Sequence, residues 1–110
     1  MHRDISTRNI FLKKQIANGI EILVPKIGDF GFSVQLNDVE NMTQIYRNTR
    51  VGTRGYMAPE ILDNQPYNYQ TDIFSIGVIA FKMLYNDFPL EGKTTDEIKA
   101  NLKNGKLLFV

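Results

Sequence analysis

Apolar positions fall into three distinct patterns along the chain. Ile10-Phe11-Leu12 reads as a short strand and Ile20 to Ile27 as its partner, with Gln15-Ile16-Ala17-Asn18-Gly19 as the turn, so residues 10–27 predict a hairpin. From Asn37 to Gly55 the chain is polar and shows no sustained period. That is long for a structureless loop, and loops of this size inside compact domains are usually functional or disordered.

The second half is helical in pattern. Pro59 ahead of Glu60-Ile61-Leu62 suits a short helix, because proline is tolerated in a first turn. The segment from about 71 to 85 is apolar on every face, its only exceptions after Asp72 being Ser75, Gly77 and Lys82, which predicts a helix enclosed by protein. It falls short of the roughly 20 residues that a bilayer span needs, so no membrane association is expected. Thr94 with Glu97 forms a capping box, Ile98 and Leu102 share a face, and Gly105 sits at a C-cap position, which predicts a final helix over about 95–104. Leu107-Leu108-Phe109-Val110 closes the sequence. No repeat or Pro/Gly-rich linker divides the 110 residues, so they read as one unit.

Composition narrows the function classes. Thirteen Lys plus Arg against twelve Asp plus Glu give a formal charge of +1, too balanced for a nucleic-acid binder that works by a basic surface. A 43% hydrophobic content is sufficient for a packed core and speaks against wholesale disorder. The absence of cysteine excludes disulfides, thiolate metal sites and cysteine nucleophiles together. No apolar signal segment follows Met1-His2-Arg3-Asp4. The expectation is an intracellular, cytoplasmic protein.

Four short blocks then stand in order: His2-Arg3-Asp4 with Asn9 five residues beyond the aspartate, Asp29-Phe30-Gly31, Ala58-Pro59-Glu60, and Asp72-Ile73-Phe74-Ser75-Ile76-Gly77. Taken singly, an Asp followed by an Asn is ordinary turn or cap chemistry, and Asp72 could simply cap its helix. Together, and with a hairpin between the first and second, the blocks closely resemble the catalytic half of a eukaryotic protein kinase. The resemblance runs from residue 2 to about 105.

This resemblance implies an α+β, mainly helical fold: a partial large lobe with a catalytic loop (2–9), the hairpin (10–27), an activation segment (29–60), a buried central helix and the final helix. It implies ATP and Mg²⁺ as cofactors and a protein hydroxyl as acceptor. Phosphoryl transfer depends on positioning and charge neutralisation, so Asp4 would orient and accept from the hydroxyl, while Asn9 and Asp29 would offer the hard oxygens that Mg²⁺ prefers. His2 would pack beneath Phe30 and Gly31 would be structural, with Phe30 setting whether Asp29 faces the metal. Asp72 would accept from the backbone near His2 and Arg3, and Glu60 would be structural. Thr49 stands where an activating phosphate would be added by an upstream kinase, and Arg3 could pair with it. One reading of the basic run Arg47, Arg50 and Arg54 is a solvated loop face; the other is that its arginines take part in the segment's function.

Acceptor specificity draws two signals. Gly52-Thr53-Arg54-Gly55-Tyr56-Met57-Ala58-Pro59-Glu60 is similar to the serine/threonine pattern, in which the Thr53 hydroxyl bonds the catalytic aspartate. Ser6, however, stands two after Asp4 where such kinases carry a lysine, and Arg8, four after, matches the tyrosine-kinase arrangement. Serine/threonine is the favoured reading, with tyrosine or dual specificity as the alternative. The sequence contains no G-x-G-x-x-G loop and no Val-Ala-x-Lys strand, so the chain alone is expected to be a fragment without activity. The rival class is a truncated lobe that serves as a non-catalytic interaction module.

Overall fold

The computed structural model describes residues 1–35 and 50–105. A single 3-10 turn at Thr7–Asn9 leads into strands β1 (Ile10–Ala17) and β2 (Ile20–Ile27), and helices α1 (Pro59–Leu62), α2 (Gln70–Tyr85) and α3 (Thr95–Lys103) follow.

β1 and β2 pair antiparallel from Ile10↔Ile27 to Ala17↔Ile20. The expected five-residue turn is corrected to the two residues Asn18 and Gly19, both with positive φ (51° and 77°). An Asn-Gly pair adopts that conformation at little cost, and its twist matches the flanking strands, so pairing continues through Gln15, Ile16 and Ala17. Lys14 and Glu21, diagonal neighbours in this register, form a 2.9 Å ion pair in the open. Leu12, Ile16 and Ile20 of the hairpin are exposed.

The described helices share two apolar clusters. In one, Ile5 and Tyr56 pack on Val78 and Ile79 of α2; in the other, Leu62 of α1 and Ile98 of α3 pack with Leu90. Phe74 touches both clusters and so joins them. Burial of α2 on all sides is the second correction. Thr71, Ser75, Val78 and Ile79 are buried, but Ile73 is 60% exposed and Met83 81%, because only one face of the helix meets the rest of the described residues. α3 begins with Thr94 accepting from the Glu97 N–H at 3.2 Å, while the Glu97 carboxylate reaches back to the Lys93 N–H at 2.7 Å. At its far end Gly105, with φ 63°, donates to the Leu102 carbonyl. Among the described residues no helix is long and apolar enough to cross a membrane.

Candidate active site

Residues 2–9 are fixed first through their backbone. Asp72, in the first turn of α2, accepts from the His2 N–H at 2.7 Å and from the Arg3 N–H at 2.9 Å. Both oxygens thus serve residues some 70 positions away, a different arrangement from a helix cap. Arg3 is held with φ 70°, a conformation that costs a non-glycine residue about 1–2 kcal/mol and therefore needs such anchoring.

The His2 ring spends both nitrogens locally. Nε2 donates to the Gly28 carbonyl at 2.9 Å and Nδ1 accepts from the Asp4 N–H at 3.2 Å, which fixes one neutral tautomer. Its ring also meets Phe30 edge-on, with centroids 5.1 Å apart. Neither nitrogen is left for a substrate.

The Asp4 carboxylate is held from two sides. Thr53 Oγ1 donates to Oδ1 at 2.7 Å, and Asn9 Nδ2 donates to Oδ2 at 3.1 Å and to the Asp4 carbonyl at 2.8 Å. With the Asn9 amide nitrogen so engaged, its Oδ1 is the atom left to act as a ligand. The Asn9 carbonyl accepts from the Gly28 N–H at 2.9 Å, which carries Asp29 to the same end of the hairpin. Asp29 has φ 54° and is exposed; the Gly31 N–H donates to its Oδ1 at 3.3 Å. An amide oxygen and a carboxylate are the hard donors suited to Mg²⁺, which takes few protein ligands and completes its shell with phosphate and water. Among the described residues no cluster of three His, Asp, Glu or Cys side chains forms a fuller cage. Asn9 and Asp29 are thus of the donor type that Mg²⁺ takes.

Cationic groups are placed unevenly. Ser6 is fully buried and its hydroxyl has no partner among the described residues, so that position contributes nothing to the open side of the site. The exposed Arg8 approaches the Thr53 hydroxyl through Nη2 at 3.5 Å. Glu60 lies in the first turn of α1 and takes no ion pair among the described residues. The phosphorylation expected at Thr49 lies outside the described residues, as does Arg47.

Arg50 and Arg54 do more than face solvent. Arg50 Nη2 donates to the Leu62 carbonyl at 2.7 Å, and Arg54 Nη1 donates to the Lys93 carbonyl, so each ties the 50–56 stretch to a helix end. Gly52, at φ 126°, lets this stretch pass close to Arg3: a Cβ there would stand 3.0 Å from the Arg3 carbonyl oxygen. Tyr67 was not singled out by sequence; its hydroxyl accepts from Arg3 Nη1 at 3.1 Å. A buried tyrosine after Pro66 carries no local signal for a contact 64 residues away.

The sequence matches the protein kinase domain family over residues 1–109. The chain belongs to the protein kinase family. It is 37% identical over 97% of its length to the serine/threonine-protein kinase Nek5 of Mus musculus, covering 16% of that protein. It is 36% identical over 97% of its length to the G2-specific protein kinase fin1 of Schizosaccharomyces pombe, covering 13% of it. To eukaryotic translation initiation factor 2-alpha kinase 1 of Plasmodium falciparum it is 47% identical over 80% of its length, covering 5% of that kinase. The chain spans about a quarter or less of the length of the curated relatives it matches.

Proposed function

We propose that this chain is the large-lobe portion of a serine/threonine protein kinase, from the catalytic loop to the helix after α2, and that it transfers phosphate from ATP only as part of a complete kinase domain. What carries the reading is the Asp4 carboxylate clamped between Thr53 and Asn9. A carboxylate so oriented can accept a hydrogen bond, and then the proton, from an incoming hydroxyl. Thr53, on the stretch that would meet the acceptor peptide, links that peptide's position to Asp4. Asn9 and Asp29 would hold Mg²⁺, whose charge neutralises the phosphates. Arg8 stands at the Thr53 hydroxyl and is a cation on hand where Ser6 offers none. The names of the relatives support serine or threonine as acceptor.

The test is transfer from Mg²⁺-ATP to serine/threonine and tyrosine peptides by a complete kinase domain that carries these residues. Asp4→Asn is expected to lower the rate by at least about 10²-fold, and the 110-residue chain alone to show none. Unchanged transfer by Asp4→Asn, or transfer to tyrosine alone, overturns the reading. The exposed apolar side of α2 supports one rival, a partner-binding module. Partner capture by the chain that is indifferent to Asp4→Asn, together with an inactive complete domain, would favour it.

A further inference from the structure

We propose that Tyr67 is a positioning residue which acts through Arg3 to hold the 29–32 stretch, and with it Asp29, against the catalytic loop. The proposal rests on the reading of Asp29 as a metal ligand.

The geometry starts with one guanidinium. Arg3 Nε donates to the Phe32 carbonyl at 2.6 Å, and Nη1 donates to the Tyr67 hydroxyl at 3.1 Å. The Arg3 backbone N–H is meanwhile fixed on Asp72. A guanidinium is planar and rigid, so the bond at Nη1 restricts the directions that the Nε–H bond can take. Tyr67 is 4% exposed and sits in the loop that enters α2, a firmer reference than a solvent-borne side chain. One residue therefore joins the catalytic loop, the segment after Asp29 and the loop before α2.

The 29–34 segment needs that support. Phe30 is 64% exposed and Phe32 47%, so apolar burial does little to locate the backbone between them. Polar bonds do most of it: Arg3 to the Phe32 carbonyl, the Ser33 N–H to the Phe30 carbonyl, and the reciprocal pair between Met1 and Val34. Asp29, in a left-handed conformation, would relax most readily if one of these bonds were lost. Tyr67→Phe removes the hydroxyl and keeps the ring, which separates the hydroxyl's hydrogen bonding from packing.

Hydrogen exchange of the full chain tests this without any need for activity. Tyr67→Phe and Arg3→Ala are each expected to speed exchange of the 29–34 amides about fivefold. The double variant is expected to be no faster than Arg3→Ala, with α3 amides unchanged. Unaltered exchange in Tyr67→Phe, additive effects in the double variant, or equal acceleration in α3 overturns the proposal. In a complete kinase domain Tyr67→Phe is expected to raise the Mg²⁺ concentration for half-maximal transfer about fivefold and leave KM for the peptide alone. A wild-type domain that transfers no phosphate would end the kinase reading, and the exchange result would still decide the role of Tyr67.

Discussion

Replacing Asp72 by asparagine is expected to destabilise the chain nearly as much as replacing it by alanine, although asparagine has the same shape. The carboxylate accepts two backbone N–H groups, from His2 at 2.7 Å and Arg3 at 2.9 Å. A hydrogen bond to a charged group is worth about 1.5–3 kcal/mol, and an orphaned buried donor costs about 1–3 kcal/mol. Asp72 is half-buried, so water can reach part of what alanine would leave bare, and about 3 kcal/mol is the expected loss. Asparagine keeps one oxygen, now neutral, and turns an N–H₂ toward the second N–H. It thus retains one bond of about 1 kcal/mol and adds a donor facing a donor, for a net loss of about 2–3 kcal/mol. Against a total stability of about 5–15 kcal/mol either change is large. Urea unfolding reads it as a lower midpoint at constant slope. An Asp72→Asn stability within about 0.5 kcal/mol of wild type would refute the claim that two charged hydrogen bonds hold residues 2 and 3.

Two further changes probe the body around the site. Gly55→Ala is expected to cost about 2 kcal/mol or more, because φ is 90° and the new Cβ would lie 2.7 Å from the ring of Phe88, which packs in the core. Gly28→Ala meets Phe11 at the same distance but at an ordinary φ, and that ring is 57% exposed and can swing away, so its thermal midpoint should fall less; the reverse order would refute the argument. The carboxyl of Asp63 is held below its usual 3.8, chiefly by its hydrogen bond with Lys99, with Lys103 and Arg50 adding attraction. Being depressed in the fold, it contributes stability that is present above 3.8 and lost as pH falls through the lower folded value. Wild type and Asp63→Asn should therefore converge in urea midpoint only in acid, and a difference that persists there would exclude this pair as its source.

Local chemistry was legible in the sequence where it is written in adjacent residues. The Thr94 and Glu97 pattern is seen as a cap at the start of α3, and the strands flanking Asn18-Gly19 pair as a hairpin. The turn was placed too widely because polar Gln15 and small Ala17 resemble loop residues, whereas an Asn-Gly pair alone suffices to reverse the chain. Helix α2 was legible as a helix but not in its burial, since an all-round apolar pattern reports what the segment could bury and not what stands beside it in these residues. Arg50 and Arg54 are exposed, as a solvated loop face would have them, but their carbonyl contacts could not be read from sequence. A guanidinium on a polar loop looks solvated until the carbonyls of Leu62 and Lys93 are brought within its reach by the fold.

The site depends on backbone geometry that its own residues do not favour. Arg3 and Asp29 are both non-glycine residues at positive φ, and they flank the His2–Phe30 contact. Each is stabilised from outside its own segment or by its own side chain: Arg3 by the Asp72 carboxylate and Tyr67, Asp29 by the Gly31 N–H on its carboxylate. The two anchors differ in strength. Asp72 and Tyr67 belong to α2 and the loop that enters it, where Val78 and Ile79 bury the helix on Ile5 and Tyr56. The Gly31 bond is exposed and 3.3 Å long. Loosening should therefore begin at Asp29 while Asp4, clamped by Thr53 and Asn9, keeps its place. On the proposed reading, in which Asp29 would hold the metal and Asp4 would receive the hydroxyl, the metal side of the site is the part that yields first.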